Sequence, residues 1–391
     1  MTSTQPALLG AEPTFPTGLP LVRPAVGDVA PLLVRLEAIL RSGRLTNGPV
    51  VRELEETVAE QLGVPHVVGV ASCTAGLMLV LQGLGVSGRV VMPAFTFSAS
   101  AHAVRWAGGT PVWADVSADS LTLDPEHAAA RLDGASAMTA THVYGTPCRV
   151  EALQQVADDA GVPLVYDSAH ALGSRRGDRP VGGFGAAEVF SLSPTKVAVG
   201  GEGGLVATHD SALAEHVRIG RDYGNPGDYD CLFAGLNARM SELHAAVALS
   251  SLEALPERVA RRNELVDAFR AATDGVPGLR LPTVDEGDLS TWKDLTLILD
   301  PETFGLSAPA LGQALAREGV ESRRYYYPSI DRQKAYADLP PAGALPVTYL
   351  LAPQVLTLAL PSDASDRAVA DLAGCVIALH TRAEDVRAAL L

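Results

Sequence analysis

The sequence predicts an α/β fold in two parts, a large domain built on a mainly parallel sheet and a smaller α+β domain at the C-terminal end. Three observations predict it. From His66 to Tyr166, short apolar runs alternate with helical stretches of about ten residues, the pattern of right-handed crossover units that lay strands side by side in parallel. The chain has 391 residues, more than the roughly 250 that one core usually serves. A long helical region, Arg239–Ala272, is interrupted by Pro256, and the pattern changes beyond it.

The elements follow in order. MTSTQPALLGAEPTFPTGLP reads as a proline-rich extended arm, and Asp28–Ser42 as a helix with Leu32, Leu33, Leu36 and Leu40 on one side. Gly43–Pro49 is a turn, after which Val51, Leu54, Val58 and Leu62 mark a second amphipathic helix. HVVGVAS is then a strand, Thr74–Leu84 a helix, Arg89–Met92 a strand, Ser98–Trp106 a helix and Pro111–Ala114 a strand. Asp124–Leu132 is a helix, Ala135–Thr141 a strand, Val150–Ala160 a helix and Pro163–Tyr166 a strand. Glu188–Leu192 is strand-like and leads to the glycine cluster Gly200–Gly204; Ser211–Gly220 is a helix, and DYGNPGDYDCLFAGLN is irregular. Beyond Pro256 come strand Lys293–Leu299, helix Ala308–Arg317, strand Val320–Arg323 and a final helix from Ser365. The expected division is 1–44 for the arm and first helix, 45–255 for the large domain and 256–391 for the small one, which the arm and first helix are expected to join.

Composition narrows the function. A hydrophobic content of 47% with 19% charged residues suits a packed core. The net charge of −15 argues against nucleic-acid partners, which need a basic face. The four cysteines, Cys73, Cys148, Cys231 and Cys375, are scattered without a CxxC, and there is no HExxH, so neither a metal site nor a disulfide framework is expected. A reducing cytoplasm fits, and the N-terminus lacks the pattern of a signal peptide. Leu339–Ser362 runs for 24 residues without a charge, but its five prolines exclude a spanning helix, so a soluble protein without a membrane partner is expected.

The chemistry converges on one edge of the sheet. Only three of the 30 basic residues are lysines (Lys196, Lys293 and Lys334). A chain that otherwise uses arginine keeps a lysine where a free amine is needed, since an amine forms a Schiff base and a guanidinium does not. Lys196 sits between a strand and a glycine cluster, five residues after Ser191, an arrangement suited to pyridoxal phosphate (PLP) bound as an aldimine. Ser72-Cys73-Thr74 opens a helix where free amides favour a phosphate. Asp167, in Tyr166-Asp167-Ser168-Ala169-His170, ends another strand and could pair with a pyridinium nitrogen. Phe95 and Phe97 follow a third strand, where one ring could stack on a planar cofactor. Each signal alone also has a plain structural reading: a turn lysine, helix caps and core phenylalanines. The chain has no GxxxxGK[ST] and no GxSxG, and Gly183-Phe184-Gly185 precedes a strand rather than following one.

These motifs, with GRLTNGPVVRELEETVAEQLGV, VVMPAFTFSAS, HVYGTP, YDSAHALGS, FSLSPTKVAVGGEGG, GLNARMSELHAAVALSSLE and RRYYYPSIDRQKAY, carry a resemblance to the DegT/StrS-type PLP-dependent sugar aminotransferases. It runs from about Phe15 to beyond Pro361. The resemblance implies the type I PLP-transferase fold, with a mainly parallel seven-stranded-type sheet between helices. It implies that Lys196 carries PLP and shuttles protons, and that Asp167 pairs with the ring nitrogen. His170 is implied beside the ring oxygen and Phe97 stacked on the ring, with Cys73, Thr74 and Ser191 at the phosphate. Asn237 is implied to reach the phosphate of a neighbouring subunit, hence a homodimer with shared active sites. The implied reaction is ping-pong, from an amino donor such as L-glutamate to a keto-sugar, most often a nucleotide-linked keto-deoxyhexose. A keto-cyclitol is the alternative acceptor; a non-catalytic sensor and a PLP lyase or dehydratase are the rival classes, and Lys196 disfavours the dehydratases that carry His there. Two segments depart from the pattern. Ala238 follows Asn237 where relatives often have an aromatic, and Ser329-Ile330-Asp331-Arg332 replaces a run that often holds His. Arg323, Arg324 and Tyr325–Tyr327 are candidate phosphate and ring contacts, or an exposed patch.

Overall fold

The protein is described here by a computed structural model covering residues 5–390. Its larger sheet has seven strands: β1 His66–Val70, β2 Gly88–Pro93, β3 Gly109–Ala114, β4 Ala135–Thr141, β5 Leu164–Asp167, β6 Ala187–Ser191 and β7 Gly204–Thr208. Their spatial order is β1-β7-β6-β5-β4-β2-β3, and β7 is antiparallel to both its neighbours while the other pairs are parallel. The strands are mostly apolar because helices cover both faces, with the buried Glu188 of β6 and the strand-end Asp167 and Ser191 among the polar exceptions. Alternate residues supply two separate cores: Val91, Met138, Leu164, Phe190 and Leu205 on one face, Val90, Ala137, Val165, Val189 and Val206 on the other.

A second sheet follows, with β8 Leu279–Arg280, β9 Leu295–Leu299, β10 Ser322–Arg323 and β11 Val355–Leu358 in the antiparallel order β8-β9-β11-β10. Leu295, Leu297 and Leu299 of β9 join helices Ala308–Arg317 and Asp366–Thr381 in its core.

Several elements differ from the sequence reading. The glycine cluster leads into a full strand, β7, and β11 lies inside the uncharged proline-rich stretch. The region Arg239–Ala272 is two helices, Glu242–Glu253 and Leu255–Ala272. Pro256 stands in the first turn of the second, where its missing N–H costs nothing. Of the N-terminal elements expected at the smaller sheet, the arm does reach it, through Leu8, Leu9, Phe15 and Leu19. Helix Val29–Ser42 instead sets Leu32 and Ile39 against Ala246 of helix Glu242–Glu253. Leu33, Val34 and Leu40 of that helix are left exposed. No helix among the described residues is long and apolar enough to cross a membrane.

Candidate active site

Strand pairing sets the levels at the carboxyl edge of the large sheet. Thr141 of β4 lies opposite Asp167 of β5, Asp167 opposite Val189 of β6, and Ser191 of β6 opposite Gly204 of β7. This edge borders a cavity of about 410 Å3, and Lys293, Tyr325 and Tyr326 from segments of the smaller sheet complete its lining. An open parallel sheet gathers ligands at this edge.

Beyond β1, Ser72 caps helix Cys73–Gly83 by accepting the Ala75 N–H at 3.1 Å. Cys73 and Thr74, in the first turn, line the cavity together with Ser191, Ser193 and Thr195. Amides of a first helical turn lack partners within the helix and favour an anion. At Gly204 a Cβ would come within 2.5 Å of the Cys73 nitrogen, so glycine is what lets β7 pass this turn.

Asp167 is buried, yet both its oxygens are engaged. Oδ2 accepts from Ser100 Oγ at 2.5 Å, and Oδ1 from the Ala169 N–H at 3.1 Å. Ser100 belongs to helix Ser98–Trp106, which starts immediately after Phe97. Phe97 is 55% exposed in the single chain, lines the cavity, and its ring lies 6.1 Å from that of Tyr326.

His170 is buried, and its Nδ1 accepts the Tyr144 N–H at 3.2 Å. A nitrogen that accepts carries no proton, so the ring proton sits on Nε2, which lies 3.5 Å from the Tyr326 hydroxyl. Burial, then the Lys196 and Lys293 ammoniums, hold this histidine well below its ordinary range, which also keeps it neutral.

Lys196 follows β6 through a turn in which its N–H donates to the Ser193 carbonyl at 3.0 Å. Burial, then the ammonium of Lys293, pull its amine down to about 8, against the opposing pull of Asp294, Cys73 and Asp167.

The other wall was less legible in the sequence. Lys293 Nζ is 2.6 Å from Asp294 Oδ1, with both side chains almost fully buried. Trp292, just before it, holds φ at +42°, a conformation that costs a bulky residue on the order of 1–3 kcal/mol. The surroundings fix it: Arg262 donates to the carbonyls of Thr291 at 3.1 Å, Trp292 at 2.7 Å and Lys293 at 3.0 Å. The Tyr144 hydroxyl donates to the Tyr325 carbonyl, and the Tyr144 and Tyr326 rings stack at 6.3 Å.

The structure therefore brings seven of the eight residues expected at the site (Cys73, Thr74, Phe97, Asp167, His170, Ser191 and Lys196) to one cavity. Asn237 is the exception. It is exposed, accepts from Arg239 Nη2 at 3.1 Å, and does not line this cavity. Ser100, Thr141 and Lys293 are additions to the expected set, and of the candidate contacts Arg323, Arg324 and Tyr325–Tyr327 only Tyr325 and Tyr326 line the cavity; the scarcity of lysine was a signal that could have found Lys293. Of the departures, Ala238 is buried, and Asp331 Oδ2 is held by the Tyr349 hydroxyl at 2.7 Å, away from the cavity lining.

Residues 30–377 match the DegT/DnrJ/EryC1/StrS aminotransferase family. The chain belongs to that family. It is similar to the dTDP-4-amino-4,6-dideoxy-D-glucose transaminase of Escherichia coli, at 29% identity over 358 residues, covering 90% of this chain and 96% of the relative. Among solved structures it is similar to DesI crystallised with its TDP-sugar product, with a TM-score of 0.92 and 37% identity over 98% of both chains. DesV of S. venezuelae, in complex with a ketimine intermediate, gives a TM-score of 0.84 and 31% identity, covering 91% of this chain and 95% of that one. The aminotransferases of this family are PLP-dependent, and this chain is a PLP-dependent aminotransferase.

The residues present fit that cofactor. The cavity has the size of a small-molecule site and offers an amine shifted toward its neutral form. It also has a carboxylate already held in place, and an anion cradle at a helix start that Gly204 keeps clear.

Proposed function

We propose that this aminotransferase moves an amino group from an amino acid, L-glutamate, to the carbonyl of a nucleotide-linked keto-deoxyhexose, working in two half-reactions in the cytoplasm. The observation that carries the reaction is the joining of Lys196, Asp167 and His170 on one cavity. The similarity to DesI and to the E. coli transaminase supports the choice of a nucleotide-linked sugar, and the four free cysteines suit a reducing compartment.

When bound, PLP supplies the carbonyl that takes up the amino group and a sink for electrons released at the reacting carbon. The protein's part is to hold and move protons around it. Lys196 Nζ, poised at about 8, accepts a proton from the donor carbon and returns it on the other side of the transfer. Asp167, fixed by Ser100 and the Ala169 amide, would keep the ring nitrogen protonated. His170, with Nδ1 filled by the Tyr144 N–H, would present its Nε2 proton to the ring oxygen. Cys73, Thr74 and Ser191, which line the cavity, would cradle the phosphate, and Phe97 would cover the ring.

The partner we propose is a second copy of this chain. Asn237 misses its own cavity, Phe97 is half-uncovered, and Leu33, Val34, Tyr229 and Leu232 expose apolar surface. A homodimer in which Asn237 reaches the neighbouring phosphate accounts for all three.

The deciding experiment is a visible spectrum of the PLP-loaded protein before and after L-glutamate, followed by a TDP-linked 4-keto-6-deoxyhexose with mass analysis of the product. Bleaching of the band by L-glutamate, then its return with an amino-sugar product, is expected. A band that returns only with a keto-cyclitol replaces the sugar acceptor; a band that ignores every amino acid overturns the proposed donor half.

A further inference from the structure

The Lys293 ammonium has three N–H donors, and the acceptor it meets is Asp294 Oδ1 at 2.6 Å. With the side chain only 6% exposed, its remaining donors cannot turn freely to bulk water, and burying them without acceptors is unfavourable. The Tyr325 ring, 5.5 Å from Nζ, meets the charge with a π face and supplies no acceptor for those donors. The backbone of this residue is pinned as well. Its N–H donates to the Tyr144 carbonyl at 2.9 Å, and Arg262 grips its carbonyl at 3.0 Å.

Two spaces open on this side chain. One is the cavity it shares with Lys196. The other is a narrow crevice whose charged lining is Arg23, Lys196, Arg262 and Lys293, with no carboxylate among the lining residues. Arg23 is paired with Asp363 at 2.9 Å and Arg262 is committed to carbonyls, so the cation with donors left to give beside the reactive amine is Lys293, which suits an anion with acceptor oxygens.

We propose that Lys293 binds the α-carboxylate of the amino-acid donor, while Asp294 fixes the ammonium and offsets its buried charge. The inference rests on the reading above that the donor is an amino acid. Such a donor carries a carboxylate on the carbon next to its nitrogen, so a cation on the same cavity as Lys196 receives the carboxylate as the nitrogen reaches PLP. A keto-sugar has no carboxylate at its reacting carbon. Lys293 therefore acts chiefly in the donor half-reaction.

The test uses the PLP-loaded full chain and its Lys293→Gln and Lys293→Arg variants. Binding of glutarate, a dicarboxylate without an amine, is read from the visible spectrum or by calorimetry, and each half-reaction is followed separately by stopped flow. Lys293→Gln is expected to weaken glutarate, and the apparent affinity for L-glutamate, by about 10- to 100-fold, the scale of a lost charge-assisted hydrogen bond. Lys293→Arg is expected to restore part of both, and the loss in the keto-sugar half is expected to be smaller. Glutarate binding unchanged in Lys293→Gln, or an equal loss in both halves, overturns the assignment. If the glutamine variant does not fold, the wild type decides: 4-aminobutyrate, which lacks the α-carboxylate, should react at least about 10-fold more weakly than L-glutamate, and parity sinks the proposal. A wild type inert to every amino acid would instead refute the proposed donor half, a result distinct from any loss confined to the variants.

Discussion

On the large-sheet side of the cavity, Asp167 has both oxygens hydrogen-bonded and His170 has its accepting nitrogen filled before any ligand arrives. On the facing side, Lys293 retains uncommitted donors, and Asp294 Oδ2 is buried without a partner. The first wall is assembled by the register of one continuous sheet, in which Thr141, Asp167 and Val189 stand level. The second is assembled by turns and a left-handed Trp292, held through Arg262 and through the Thr291 hydroxyl donating to the His170 carbonyl at 2.6 Å. A wall that is complete in itself suits a cofactor that stays. A wall with capacity left over suits substrates that come and go.

The strongest way to break that contrast is Asp167→Asn. Asparagine can still accept the Ala169 amide on its one oxygen, and its NH2 can donate to Ser100 Oγ once that hydroxyl turns, so the fold should stand with little change in melting temperature. The charge that the proposed mechanism needs at the ring nitrogen is lost. Transamination is expected to fall by about 10²- to 10⁴-fold, the range for losing a positioned proton-holding group. Steady-state rates beside a thermal melt check it, and a fully active variant would show that this wall is merely structural.

How far each wall could be read from the sequence follows the same contrast. Lys196, Asp167 and Ser72–Thr74 stand at the ends of strands whose apolar runs are unmistakable, so the topology alone joins them. β7 was hidden because Gly203-Gly204 reads as a turn, although Gly204 is needed for the approach to Cys73. β11 is four residues long between prolines, too short for any period to register. Lys293 had a compositional signal, but no sequence spacing ties it to Lys196, 97 positions earlier; only the fold brings them to one cavity. Asn237 carried a motif-level expectation about a neighbouring subunit, which a single chain does not test.

A smaller effect sharpens the comparison by showing the two walls acting on one atom. Burial and then Lys293 lower the Lys196 amine to about 8, so below that pH the amine is mostly protonated and above it mostly free. In protein freed of PLP, acylation of Lys196 by a limiting amine reagent, followed by mass spectrometry, should rise about tenfold per pH unit up to about 8 and then level off. An unperturbed lysine would go on rising to about 10.4. A profile that does not level until then would mean that burial and Lys293 leave this amine unshifted.

The smallest effect concerns the residue where the walls meet. Tyr326 belongs to the smaller-sheet side, but its ring lies 5.8 Å from Phe95 and 6.1 Å from Phe97 of the other, and its hydroxyl is 3.5 Å from His170 Nε2. At that distance the hydroxyl is a weak partner at best. The tautomer of His170 is already set from the opposite nitrogen by the Tyr144 amide, so it does not depend on Tyr326. Tyr326→Phe keeps the ring packing and removes only the hydroxyl. It should lower turnover by no more than about two- to fivefold, the scale of a marginal hydrogen bond, and leave the absorption band of bound PLP in place. A loss as large as that of Asp167→Asn would mean that the Tyr326 hydroxyl, rather than the Tyr144 amide, holds the proton on His170 Nε2. The large-sheet wall would then depend on its neighbour and would not be complete in itself.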